Sequence, residues 1–281
     1  MTTVSPRPRM FAGPNGSGKS TLKTVLPPEL LGIYLNPDEI EARIRRDGSL
    51  AVNEFGLKIA PETDSELLRF LQQSRFLSGA GLAAAAGRLK CRHGRLEFTD
   101  AAVNSYFASV VADYLRQQLM KYRISYTLET VMSSPHKVEL LQQAQQQGYR
   151  TYLYFIATDD PEINISRVRN RVKQGGHSVP EDKIVSRYHR SIDLLMEAIR
   201  YTNRAYVFDN SSNNQDRTWL AEITRRSDFG DQGSSGSCMV RQRCTQKDQL
   251  HRSCVNSLCA YVSRAILLPV GRRGRGCPVV S

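Results

Sequence analysis

Nine residues near the start restrict this chain more than any others do: Gly13-Pro14-Asn15-Gly16-Ser17-Gly18-Lys19-Ser20-Thr21. They match G-x-x-x-x-G-K-[ST], the signature of a loop that cradles phosphates between a strand and a helix. The flanks have the required character. Arg9-Met10-Phe11-Ala12 is short and apolar enough for a buried strand, and Leu22 to Leu26 suits the first turns of a helix that Pro27 must stop. The glycines let backbone N–H groups turn inward around phosphate oxygens. A helix N-terminus behind them would add partial positive charge. All nine residues are candidates for nucleotide binding. Lys19 is expected to reach the phosphates and the Ser20 hydroxyl to hold Mg²⁺.

The rest of the chain to residue 226 alternates strands with helices. Gly32 to Asn36, Ser125 to Glu129, Tyr149 to Thr158 and Ala205 to Phe208 read as strands. Asp100 to Lys121 has apolar residues at helical spacing, with Val103, Phe107, Val110 and Tyr114 on one stripe. Further helices are expected after Pro37, after Pro135, from Pro161 to Lys173, and through Ile184, Tyr188, Ile192, Leu195 and Ile199. Trp219 to Ile223 reads as a short terminal helix. This order predicts an α/β fold: a mostly parallel sheet with helices on both faces. Residues 48–99, broken by Gly79, Gly81, Gly87 and Gly94, are expected to form a helical cap inserted in a kinase domain of residues 1–226.

In such a sheet, ligands gather at the carboxyl ends of the strands. The second strand ends at Asn36-Pro37-Asp38, the third at Glu129-Thr130, the fourth at Asp159-Asp160 and the last at Asp209-Asn210. Asp38 suits a general base facing an acceptor hydroxyl, and a helix-capping role is its structural alternative. Glu129 with Thr130 suits acceptor binding or a metal-bound water. Asp160 before Pro161 reads as a helix cap. Arg167, Arg169, Arg171 and Lys173 crowd one helix before Gly175-Gly176, and Arg167 and Arg171 share a face. Residues 161–200 therefore read as a lid that brings Arg167 or Arg171 onto a transferring phosphoryl group.

Composition narrows the partners. The net charge is +12. Residues 227–281 hold eight Lys/Arg against three Asp/Glu, leaving +7 for the rest. A positive excess attracts polyanions, so a polynucleotide kinase is one alternative. A nucleotide-binding module without phosphotransfer is another. With a P-loop present, phosphates of a small nucleotide account for the charge more simply, and nucleic acid is not the expected partner. No membrane span or signal sequence is read, and nucleotide chemistry fits the cytoplasm. Five of the six cysteines lie in residues 227–281, at spacings that match neither a zinc site nor a disulfide framework. That tail holds six glycines and eight serines and loses both periodicities. It is expected to be disordered, with a composition that a shifted reading frame would give.

Taken in order, the Gly13–Thr21 loop, Asn36-Pro37-Asp38, Leu128-Glu129-Thr130 and Arg167–Arg171 resemble the zeta toxin family of P-loop kinases. The resemblance covers residues 9–226. It implies phosphoryl transfer from ATP or GTP, with Mg²⁺, to a hydroxyl of a small acceptor. In the family's studied toxins that acceptor is UDP-N-acetylglucosamine. By position, Lys19 would bind phosphates, Ser20 the metal, Asp38 would be the base, Glu129 and Thr130 would line the acceptor pocket, and Arg167 or Arg171 would serve as lid arginine. An antitoxin partner comes with the resemblance, and no surface for one is read from this sequence.

Overall fold

The computed structural model describes residues 5–24, 26–98, 103–176, 178–212 and 217–225, with the backbone of 238–242. The described elements in chain order are β1 (Pro8–Ala12), α1 (Pro28–Leu31), β2 (Ile33–Leu35), α2 (Pro37–Asp47), β3 (Ser49–Ala51), α3 (Thr63–Gln72), α4 (Arg75–Gly79), α5 (Ala83–Gly87), β4 (Lys90–Arg92), β5 (Arg95–Glu97), α6 (Ser105–Lys121), β6 (Tyr126–Thr130), α7 (Pro135–Gln146), β7 (Tyr152–Ala157), α8 (Pro161–Lys173), α9 (Glu181–Asp193), α10 (Leu195–Arg200), β8 (Arg204–Asp209), β9 (Thr218–Arg225) and β10 (Cys238–Gln242).

Seven strands form one sheet in the order β10-β9-β8-β7-β1-β6-β2. From β2 to β8 all pairings are parallel, and β9 and β10 add an antiparallel edge. The strand before the phosphate loop, β1, lies between β6 and β7 and is buried along its whole length. Alternation along β1 divides the interior. Met10 and Ala12 join the larger core with α2, α6, α7 and α10. Phe11 faces the other side with Leu22, Tyr154 and Ile156. This is the mostly parallel α/β architecture that the sequence predicts.

Three expectations are corrected. First, the phosphate loop runs into a 3₁₀ helix over Lys19–Thr24 rather than an α-helix. The Thr21 and Thr24 hydroxyls donate to the Gly18 and Thr21 carbonyls (2.6 and 2.8 Å), each three residues back. Those bonds compete with the i−4 ladder, and Pro27 leaves no length to recover it. Second, Trp219 to Ile223 is not a helix but part of β9, paired antiparallel with β8. Leu220, Ala221 and Ile223 are buried, so their short apolar pattern serves a strand.

Third, residues 48–99 are not purely helical. They hold α3, α4 and α5 and a three-stranded antiparallel sheet in the order β3-β5-β4. The β4–β5 hairpin turns at His93 (φ 52°) and Gly94 (φ 71°), both left-handed, as a two-residue primed turn requires. Asp64 of α3 makes His93 tolerable there, because its carboxylate accepts from the His93 and Gly94 N–H groups at 2.8 and 2.6 Å. Burial opposes ionisation of Asp64, but the Gly94, Cys91 and His93 hydrogen bonds outweigh it and hold its pKa below the ordinary carboxylate range. Asp64→Ala is expected to cost about 1–3 kcal/mol of stability at neutral pH. A depressed carboxylate pKa stabilises above its unfolded value and loses that contribution as pH falls through the folded one. The difference in melting temperature between wild type and variant should therefore shrink in acid.

Of the tail, only Cys238–Gln242 is described, as β10. The expectation of disorder over the rest of 227–281 lies outside the described residues.

Candidate active site

Lys19 opens the 3₁₀ helix and is 7% exposed, and its Nζ donates to the Pro14 carbonyl at 2.8 Å. Burial pushes its pKa down. Glu129 and Asp38 counter that shift, and Arg171 adds to it. Those three charges reach Lys19 from three separate elements: β6, α2 and α8. Because the helix here is a single short 3₁₀ segment, its dipole is small. Loop N–H groups and the Lys19 charge must supply the positive field.

Ser20 Oγ donates to Glu129 Oε1 at 3.0 Å. Glu129 is buried at the carboxyl end of β6, where it registers with Phe11 of β1. Its second oxygen accepts a short bond from the Tyr34 hydroxyl. Burial, then Glu129, raises the Tyr34 pKa far above its ordinary value, so the phenol stays a neutral donor. The Tyr34 ring is held in turn under Lys23 Nζ, 3.8 Å from its centroid, while Lys23 pairs with Glu39. Glu129 thus belongs with Ser20 and the phosphate loop more closely than an acceptor-pocket role predicts. Thr130 is occupied locally, its Oγ1 accepting from Met132 N at 3.1 Å.

The helix cap that was the structural alternative for Asp38 is made by Asn36, whose Oδ1 accepts from the Asp38 N–H at 2.9 Å. That leaves the Asp38 carboxylate exposed in the first turn of α2, within electrostatic reach of Lys19. Asp160 caps α8 through the Glu162 N–H at 2.8 Å, as its position before Pro161 predicts. Asp209 accepts from Ser211 N at 2.9 Å, and the Asp159 N–H donates to Ser211 Oγ at 2.8 Å. Both aspartates therefore shape the loop after β8.

The two candidate lid arginines part company. Arg167 donates to the carbonyls of Asn210 and Ser212 at 2.7 and 3.2 Å, and burial lowers its pKa against the favourable charge of Asp209. Its charge is committed to that loop, and Arg171 is the one whose charge acts on Lys19. Gly175 and Gly176 close α8: their N–H groups return to the Val172 and Arg171 carbonyls at 3.0 and 2.9 Å. Residues Ile165 and Val168 of α8 pack on Ile184 of α9, and Arg169 pairs with Glu181 at 2.7 Å.

Residues that the sequence did not single out complete the site: Tyr34, Asn164 and the side chain of Asn210. Asn164 Nδ2 donates to the Asn15 carbonyl at 2.6 Å, and Asn210 Nδ2 to the Ser17 carbonyl at 2.8 Å. The sequence places Asn210 at a strand end but does not show its bond to the loop. Asn164 gives no local signal inside its helix.

Among the described residues, no helix is long and apolar enough to cross a membrane. In comparisons with solved structures, the AvrRxo1-ORF1:-ORF2 complex with ATP aligns with a TM-score of 0.47 at 14% identity, over 78% of this chain and 59% of that one. The PezAT toxin–antitoxin system of Streptococcus pneumoniae gives 0.43 at 15% identity, over 79% and 74%. A putative kinase from Chloroflexus aurantiacus gives 0.37 at 14% identity, over 67% and 79%. An uncharacterized protein of Haemophilus influenzae is 32% identical over 69 residues, a quarter of this chain, and the match spans about half of that relative's length. The Zeta toxin family model matches residues 92–219, from β4 to β9, the span that carries Glu129, Asn164, Arg171 and Asn210. Over that stretch, a little under half of its length, the chain is similar to the zeta toxin family.

Proposed function

We propose that the protein is a kinase that moves the γ-phosphoryl group of ATP to a hydroxyl of a small acceptor. The observation that carries this reading is that Glu129, hydrogen-bonded to Ser20, and Asp38 follow the adjacent parallel strands β6 and β2 beside the phosphate loop, where their charges and that of Arg171 from α8 act on Lys19. Nucleotide binding alone needs no exposed carboxylate within electrostatic reach of the lysine. A phosphotransferase does, because the attacking alcohol must lose its proton.

Each residue then has a task. Loop N–H groups and Lys19 grip the β- and γ-phosphates. Asp38 accepts the acceptor's hydroxyl proton as the acceptor oxygen bonds to the γ-phosphorus. The bond from that phosphorus to the β–γ bridging oxygen breaks, and ADP leaves. Arg171 stabilises negative charge on the transferring group. Ser20 Oγ and Glu129 Oε1, 3.0 Å apart, are hard oxygen donors of the kind that suits Mg²⁺ shared with nucleotide phosphates. When bound, that ion supplies charge neutralisation between the β- and γ-phosphates. Tyr34 holds the other oxygen of Glu129 and so sets the orientation of the carboxylate. Tyr34→Phe is expected to raise the Mg²⁺ concentration for half-maximal activity about tenfold, with little change in folding. A magnesium titration at saturating ATP reads this directly.

Kinship suggests UDP-N-acetylglucosamine as the acceptor, with GTP able to replace ATP. The test is to incubate the full chain with γ-labelled ATP, Mg²⁺ and candidate acceptors: UDP-N-acetylglucosamine, a metabolite extract and an oligonucleotide. Label on the sugar nucleotide supports the finer reading. Label on another small alcohol keeps the kinase and replaces the acceptor. Label on the oligonucleotide, with steep salt dependence, would favour the polynucleotide kinase instead. Hydrolysis that no acceptor stimulates would point to a module without transfer.

A further inference from the structure

Two carbonyls of the phosphate loop are each held by an asparagine from a distant part of the chain. Asn164, fully buried in the first half of α8, donates from Nδ2 to the Asn15 carbonyl at 2.6 Å. Its Oδ1 accepts from Thr158 Oγ1 at 2.5 Å, which fixes which end of the amide faces the loop. Asn210, after β8, donates from Nδ2 to the Ser17 carbonyl at 2.8 Å. Neither asparagine belongs to the loop motif.

We propose that Asn164 and Asn210 are positioning residues that lock the loop in its phosphate-gripping form, and that Arg167 serves the second of them. The inference rests on the kinase reading of the same loop. In a trans peptide the C=O and the following N–H point in opposite directions. Fixing the Asn15 carbonyl toward Asn164 therefore aims the Gly16 N–H away from α8. Fixing the Ser17 carbonyl toward Asn210 aims the Gly18 N–H in the same sense relative to its own brace. Two donors are thus oriented before any phosphate arrives, and the cost of ordering them on binding is removed.

The loop's glycines match this arrangement. A Cβ on Gly16 (φ 77°) would lie 2.6 Å from the backbone oxygen of Asn164, and one on Gly18 (φ 92°) would lie 2.5 Å from Asn210 Nδ2. Side chains at these positions would push both braces out. Arg167, one turn along α8 from Asn164, donates to the Asn210 and Ser212 carbonyls at 2.7 and 3.2 Å. A single helix thereby supports both braces. Two turns beyond Asn164, the same helix carries Arg171, whose charge acts on Lys19. Phosphate grip and arginine placement share one mechanical part.

The test measures ATP and adenosine affinity by calorimetry for wild type, Asn210→Ala, Asn164→Ala and the double variant, with melting temperatures alongside. Each single change is expected to weaken ATP binding about tenfold and to leave adenosine binding unchanged, since adenosine has no phosphate. The double variant should lose less than the product of the two, because both act on one loop. If Asn164→Ala fails to fold, Asn210→Ala and Arg167→Gln carry the test, and Arg167→Gln should show the same selective loss. Unchanged ATP affinity in Asn210→Ala, or equal losses for ATP and adenosine, would overturn the brace. A wild type that binds ATP but phosphorylates nothing overturns the kinase reading and leaves the brace standing. A wild type that binds no ATP overturns both.

Discussion

Lys19→Ala is expected to lower the rate of phosphoryl transfer by about three orders of magnitude, because it removes the fixed positive charge nearest the transferring phosphates. The same change should leave the protein at least as stable. Lys19 is a buried cation whose own folded environment disfavours its charge, burial being the largest cause. When a lysine's pKa is lower folded than unfolded, both states carry the proton below the folded value, and there the folded state bears the penalty. The penalty is relieved as pH rises from the folded pKa toward the ordinary 10.5. Wild type should therefore gain stability on the variant as pH climbs through that window, while its activity falls there as the ammonium is lost. Thermal melts and initial rates across alkaline pH measure both trends. A variant that loses activity only because it unfolds would show the opposite pattern.

Asp38→Asn is expected to lower kcat by about 10²- to 10⁴-fold while ATP affinity changes by no more than about twofold. The two readouts separate because the residue's structural duty is small. Asn36 supplies the cap of α2, so the substitution breaks no hydrogen bond made by the Asp38 side chain among those described. What it forfeits structurally is one negative charge in the first turn of α2, worth about 0.3–1 kcal/mol. A proton acceptor, by contrast, cannot be replaced by an amide. Rates at saturating ATP, with nucleotide binding measured separately, distinguish a lost base from a lost binding group.

The parallel sheet was legible because four of its five parallel strands end in a signal: the phosphate loop after β1, Pro37 after β2, the proline-started helices after β6 and β7. Those punctuation marks act locally, so a single sequence displays them. The small sheet of β3, β4 and β5 was hidden because its strands are three residues long and its turn uses histidine where asparagine is favoured. The carboxylate that permits that turn comes from Asp64, about thirty residues earlier. The site divides in the same way. Lys19, Ser20, Asp38 and Glu129 follow from motif and strand end. The choice of Arg171 over Arg167, and the roles of Asn164 and Tyr34, depend on partners more than ninety residues away or on separate elements. No periodicity encodes those pairings, which appear only once the sheet has set its order.

A crystal structure of the protein with Mg²⁺ and a non-hydrolysable ATP analogue tests the central claim most directly. The account predicts the terminal phosphate within hydrogen-bond distance of Lys19 Nζ and the loop N–H groups. It also predicts the metal against Ser20 Oγ and Glu129, with the Asp38 carboxylate on the open side of that phosphate. A triphosphate bound elsewhere, or one whose terminal group is walled off from Asp38, would contradict it.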